Sequence, residues 1–197
     1  MNNEENIDLT NLKPDVRTLE DMRGVLFDQE WAKNQSNIDL YYMYRGINKL
    51  GELRYDITVM PPVMIGEEFN KTKGHEHPCR HSELYTVLEG EAIFLFQKGR
   101  ENIEDVYAVM AKPGDCVTIG VDYSHITINP SKEKPLKMAN WVSEVCEAYY
   151  DFIEKQGGAC YFYTNNGWIK NKNYASVPEI RFEEPLKSCP PSLDFLK

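Results

Sequence analysis

The sequence is poor in positive charge, and it has no long apolar run and no cysteine pattern. Its 22 lysines and arginines face 31 acidic residues, a net charge of −9. The concentrated basic face that general nucleic-acid binding needs is therefore missing, leaving only a local basic pocket around Lys71, Lys73 and Arg80. No apolar stretch approaches the roughly 20 residues of a membrane span. The opening residues Met1-Asn2-Asn3-Glu4-Glu5-Asn6 are polar and acidic, the opposite of a secretory signal. The five cysteines (Cys79, Cys116, Cys146, Cys160 and Cys189) are odd in number and scattered, with no CxxC pair. No disulfide framework is expected from them, and the expected setting is soluble, reducing and cytoplasmic, away from nucleic acid and membrane. No repeat or low-complexity segment occurs.

What is present is globular. Hydrophobic residues make up 42% and aromatics 12% of the 197, with 12 tyrosines, a composition that suits pleated, half-buried strands. The length fits one domain with elaborated ends. Residues 1–35 read as a loosely packed arm and a short helix capped by Thr18, with Asp21 three residues on. Residues 36–170 read as a β domain and 171–197 as an extended proline-rich tail lying on the surface or on a partner. Strands are expected over 40–47, 52–60, 84–88, 91–97, 106–110, 116–119, 125–129 and 137–145. Two apolar runs around Glu89-Gly90 predict a hairpin, and a second is expected around Asn165-Asn166-Gly167. A short helix is expected over 148–156. Short strands at such spacing indicate an all-β barrel or sandwich.

Only four histidines occur, and three of them enter one pattern. In Gly74-His75-Glu76-His77 a strand would project both imidazoles from one face. Glu83 follows, and His125 comes from a distant segment. Three nitrogens and a carboxylate suit a borderline divalent ion with positions left for water or substrate. His81 is a lesser candidate ligand and Cys79 reads as a small buried thiol. Trp141 and Tyr85 are expected to wall the pocket.

The spacing of His75, His77, Glu83 and Gly90, followed by Gly114, Gly120, His125 and Asn129, resembles the two-part signature of the cupin superfamily. It departs in having Gly120 where proline is usual, Asp122 where glycine is usual, and a longer gap before Glu83. The segment with Thr58, Pro61-Pro62, Gly66, Glu67, Lys71-Thr72 and Gly74, with Tyr85 beyond, resembles the archaeal-type, cupin-fold glucose-6-phosphate isomerases over about residues 55 to 155. That resemblance implies an all-β cupin (a double-stranded β-helix, jelly-roll-type barrel) with short peripheral helices and an N-terminal arm. It implies an enzyme of glycolysis and gluconeogenesis that interconverts glucose 6-phosphate and fructose 6-phosphate. His75, His77, Glu83 and His125 would hold one divalent metal, with Fe(II) the first expectation and Mn, Ni or Zn as alternatives. Glu83, Tyr85 and His125 would stand at the chemistry, and Thr58, Thr72, Gly74, Tyr85 and Tyr149 would bind the substrate and its phosphate. The partner is a small sugar phosphate and the assembly a homodimer. The alternatives are a cupin dioxygenase on a small acid or thiol, using the same ligand set without the phosphate residues, and a non-catalytic sugar-binding cupin, which would tolerate loss of the metal ligands.

Overall fold

The computed structural model describes residues 7–77, 82–145 and 147–196. Cys79, Arg80, His81 and Cys146, and whatever part they play, lie outside these residues. The chain begins with β1 (Asp15–Thr18), α1 (Leu19–Met22) and α2 (Gln29–Asn34). The long strands β2 (Asp39–Leu50) and β3 (Leu53–Met60) follow, then two short ones, β4 (Met64–Ile65) and β5 (Glu68–Phe69). Next come β6 (Glu83–Glu89), β7 (Ala92–Gly99), β8 (Ile103–Ala111), β9 (Cys116–Ile119), β10 (Tyr123–Ile128) and β11 (Leu136–Ser143). The chain finishes with α3 (Asp151–Lys155), β12 (Tyr161–Thr164), β13 (Gly167–Lys170) and β14 (Arg181–Glu183). Among the described residues no helix is long and apolar enough to cross a membrane.

A six-stranded sheet runs β1-β2-β3-β11-β6-β9 and faces a four-stranded sheet β10-β7-β8-β14; the small sheet β13-β12-β5-β4 flanks them. This is the all-β cupin barrel. Phe94, Leu95 and Phe96 of β7 are fully buried, so the strand is covered on both faces. Each such side chain contributes about 1.5–3 kcal/mol relative to exposure.

The expected hairpin at Glu89-Gly90 does not form. β6 pairs with β11 and β9, whereas β7 pairs with β8 and β10, so the turn carries the chain from one sheet to the other. The reason is packing. Gly90 sits at φ +78° with its missing Cβ directed 2.3 Å from the Pro135 carbonyl oxygen, so the turn is pressed against the start of β11. Both runs are also apolar on both faces, which is the pattern of strands covered on both sides. The hairpin of this region is β7–β8, and the one around Asn165-Asn166-Gly167 forms as expected, as β12–β13.

Both ends of the described chain are woven into the fold. Asp21 accepts from the Thr18 backbone N–H at 2.8 Å, the capping contact expected. Within the expected arm, Asp15–Thr18 form β1, which pairs with β2, and the helix after it buries Leu19 and Met22 fully. At the other end β14 pairs in parallel with β8, and Leu186 exchanges backbone hydrogen bonds with Cys116. On the outer face of the large sheet Leu53, Tyr55, Ile57, Leu84, Ala139 and Trp141 form a second core, covered by Ile7, Leu9, Leu193 and Leu196 from both ends. There Cys116 and Cys189 form a disulfide. The sequence held no trace of it, because its partners are 73 residues apart and meet only when the tail folds back over β9. Cys160 is buried and free, its thiol pushed up to about 12 by burial.

Candidate metal centre and substrate pocket

Residues 71–77 run alongside β10 as isolated bridges, not as a continuous strand. His75 and His125 are antiparallel partners, with the His125 N–H donating to the His75 carbonyl at 3.0 Å and the return bond at 3.3 Å. Directly opposed residues share a face, so the two rings lie 4.2 Å apart between centroids. His77, two residues on, projects from the same side and meets His75 edge-on at 4.7 Å. Glu83 enters from β6, next to the far side of the cluster.

The four donor atoms converge within 4.8 Å of one another. His75 Nε2 lies 3.1 Å from His77 Nε2, His77 Nε2 lies 3.1 Å from Glu83 Oε2, and His125 Nε2 lies 3.4 Å from that same oxygen. Ligands about 2.1 Å from a common ion stand about 3 Å apart when they meet it at right angles. Two of these separations fall at that value. The set therefore fits a divalent metal: imidazole nitrogens and one carboxylate oxygen aimed at one point, inside a largely buried pocket.

For three of the four donors, His75, His125 and Glu83, the electrostatics favour the form that binds a metal. Burial, with the neighbouring rings, holds His75 well below the ordinary imidazole value, and burial holds His125 down at about 4. Burial opposes charge on His77 too, but the Glu83 carboxylate and the Glu147 backbone outweigh it and raise that ring. Glu83 is pulled the other way. Burial disfavours its charge, yet contacts with His77, His125 and Tyr85 hold it below the usual carboxylate range. Tyr85, whose hydroxyl lies 3.5 Å from His125 Nε2, is kept neutral by burial and by the Glu83 charge.

Around this cluster lies a cavity of about 340 Å³. Its floor is the inner face of the large sheet, where alternation puts Arg54, Asp56 and Thr58 of β3 and Met138, Asn140 and Val142 of β11 toward the cavity. Thr72, Lys73 and Gly74 form another wall and Tyr150 a third. Across 16–179 the sequence matches the family model for glucose-6-phosphate isomerase (GPI). The chain belongs to the archaeal-type, cupin glucose-6-phosphate isomerase family. Within that family it is 30% identical to the glucose-6-phosphate isomerase of Thermococcus litoralis, over 75% of this chain and 79% of that one. It is also 30% identical to that of Pyrococcus horikoshii, over 79% and 83%. A solved oxalate oxidase structure aligns with 56% of this chain and 54% of its own at 15% identity and a TM-score of 0.43, too partial a likeness to carry any argument.

Of the positions that the family resemblance implicates, His75, His77, Glu83, Tyr85, His125, Thr58, Thr72 and Gly74 all line the one cavity. Tyr149 does not. Its backbone pairs with Glu76 and its side chain is 51% exposed, while the adjacent Tyr150 lines the cavity, 5.6 Å from the His75 ring. Trp141 also falls elsewhere: it packs on Tyr55 in the outer core, because its strand neighbours Asn140 and Val142 own the inward face. The basic pocket is likewise rearranged. Lys73 lines the cavity, but Lys71 is buried against Glu68 at 2.5 Å and donates to the Val25 carbonyl at 2.8 Å.

Sequence reasoning missed Tyr41, Arg45, Arg54, Asp56, Asn140 and Glu147, all lining residues. Arg54 and Asp56 were within reach of it, since they sit at i−4 and i−2 from Thr58 and so share its face. Asp56 ties the group together, accepting from Arg54 Nε at 2.9 and 3.0 Å and from the Gly46 N–H at 2.8 Å. Asp122 supplies a smaller confirmation. It stands at φ +73° at a place where the cupin pattern has glycine, a backbone state that aspartate tolerates better than most residues.

Proposed function

We propose that the chain is a metal-dependent aldose–ketose isomerase that interconverts glucose 6-phosphate and fructose 6-phosphate in glycolysis and gluconeogenesis. The observation that carries this reading is the joining, in one cavity, of the His75, His77, Glu83, His125 donor set with Thr58, Thr72 and Gly74. Its support in sequence is the 30% identity to enzymes of that name over most of both chains. Fe(II) is the first choice of ion, with Mn, Ni or Zn accommodated by the same donors. A cytoplasmic homodimer completes the reading. The edge strand β1 offers a pairing surface for such a dimer.

When bound, such an ion would polarise the sugar carbonyl and stabilise negative charge on its oxygen. The protein's own groups do the rest. Tyr85, kept neutral, has a proton to donate to a sugar oxygen beside His125. At the phosphate end the Thr72 oxygen already accepts from the Thr127 N–H at 2.9 Å, which aims its own hydroxyl proton away from β10. Lys73 adds positive charge there, although Glu154 shares it. The partly buried cavity limits the water around the reacting carbons, which strengthens each of these contacts. The carbonyl moves between C1 and C2 either by proton transfer through an enediol or by hydride shift.

The experiment is direct. Fructose 6-phosphate is supplied to protein loaded in turn with Fe(II), Mn(II), Ni(II) or Zn(II), and formation of glucose 6-phosphate is followed. Turnover with at least one metal, abolished by chelation, is expected; no turnover with any of them in folded protein would sink the reading. Run in D2O, the same assay separates the two routes, since deuterium on carbon marks proton transfer. Thr72→Ala should raise the KM for the phosphorylated sugar about tenfold, the worth of one hydrogen bond to a charged group, with kcat little changed. An unchanged KM would remove Thr72 from the phosphate site.

A further inference from the structure

We propose that Asn140 is a positioning residue, fixing Glu83 as a one-oxygen ligand and so setting how tightly the site holds its ion. The proposal rests on the metal-site reading of the cavity and adds a residue to it. Asn140 lies at the middle of β11, its backbone opposite Tyr85 on β6 and Asp56 on β3. Its amide Nδ2 donates to Glu83 Oε1 at 2.5 Å, and the two residues are only 7% and 3% exposed. A carboxylate held charged can only accept, so the amide must present its nitrogen, not its oxygen, to Glu83.

The consequence follows from the division of labour between the two oxygens. Oε2 faces His77 and His125, at 3.1 and 3.4 Å, while Oε1 is turned away from them toward Asn140. Without the amide, Oε1 would lose the donor that holds it at 2.5 Å inside a buried site. The carboxylate could then rotate, chelate through both oxygens, or take a proton. Each choice spoils the ligand geometry. Asn140 is held against such movement in its turn by neighbours on both sides. Asp56 is anchored by Arg54 and Gly46, and Tyr85 packs on Phe94.

The test uses Co(II) as the probe ion and a double-mutant cycle. Asn140→Ala and the near-isosteric Asn140→Leu are each made in the native chain, and Asn140→Ala is also made on top of Glu83→Ala. The Co(II) dissociation constant, measured by chelator competition, should rise about tenfold to a hundredfold in the single Asn140 variants. In the Glu83→Ala background the further change should be less than about threefold, because the residue acts through Glu83. The Co(II) absorption bands should shift in Asn140→Leu, reporting altered coordination. An equal loss of affinity in both backgrounds would mark a general structural effect and overturn the proposal, as would unchanged affinity in the single variants. The isomerase reading is judged separately. Native protein that holds Co(II) and responds to Asn140 as expected, yet turns over no sugar phosphate, would remove the activity and leave Asn140 in place.

Discussion

Replacing His77 with alanine is expected to abolish isomerisation while leaving the barrel folded. The imidazole is in contact distance of both His75 and Glu83, so it stands at the centre of the donor set and not at its margin. Its loss leaves two nitrogens and one carboxylate oxygen and opens the site to water. A Lewis acid in such a site is worth several kcal/mol, and at about 1.4 kcal/mol per tenfold in rate its loss lowers kcat/KM by about 10³ or more. The fold should tolerate the change, because the cores that hold the sheets are built from other residues, Phe94 and Phe96 on one side and Tyr55 and Trp141 on the other. Three measurements check this: bound metal per chain, kcat/KM with fructose 6-phosphate, and the thermal melt of the metal-free protein. Near-native turnover in a variant with no bound metal would show that the donor set is not the seat of the chemistry. A collapsed melt would show that His77 is structural.

Gly74→Ala should be the most damaging small substitution in the cavity wall. Gly74 sits at φ +83°, and a Cβ there would come within 2.7 Å of Ile126 Cγ1, a methylene one bond from the branched Cβ and so close to the backbone of β10. Strain in the left-handed region and the forced shift of Ile126 each cost about 1–3 kcal/mol, so a loss near 3 kcal/mol is a fair expectation. For a chain of this size that is about 6–12 °C in Tm. The shift is also passed on. His75 is the next residue and is paired by two backbone hydrogen bonds with His125, so metal affinity should fall with stability. Gly114→Ala is the control, since Gly114 has nearly the same φ, +88°, but open space where its Cβ would be. If both alanine variants lose the same Tm and Gly74→Ala keeps full metal affinity, the close approach to Ile126 has no functional weight.

Much of this site was readable from one dimension. Period-two alternation is a property of extended backbone alone, so His75 and His77 had to share a side, and so did Arg54, Asp56 and Thr58. Glycine at 74 likewise carried its meaning locally, through a positive φ that other residues avoid. The same logic failed at Trp141. Alternation says that Asn140 and Trp141 face opposite ways but not which of them faces in, and a hydrophobic side chain could serve either core.

The sequence by itself marked the His75–His77 pair, most of the longer strands and the glycine at 74, because each is written in nearest-neighbour geometry. The tertiary structure alone decided how those pieces join. It sent β6 and β7 to different sheets, folded both ends of the chain over an outer core, and joined Cys116 to Cys189 across 73 residues. It also exposed Tyr149 and brought in Tyr150, and it gave Glu83 its partner in Asn140, 57 residues away. The physical reason is that pairing between sheets is set by which surfaces can be buried together. That depends on the summed packing of the whole chain, and no local window contains it.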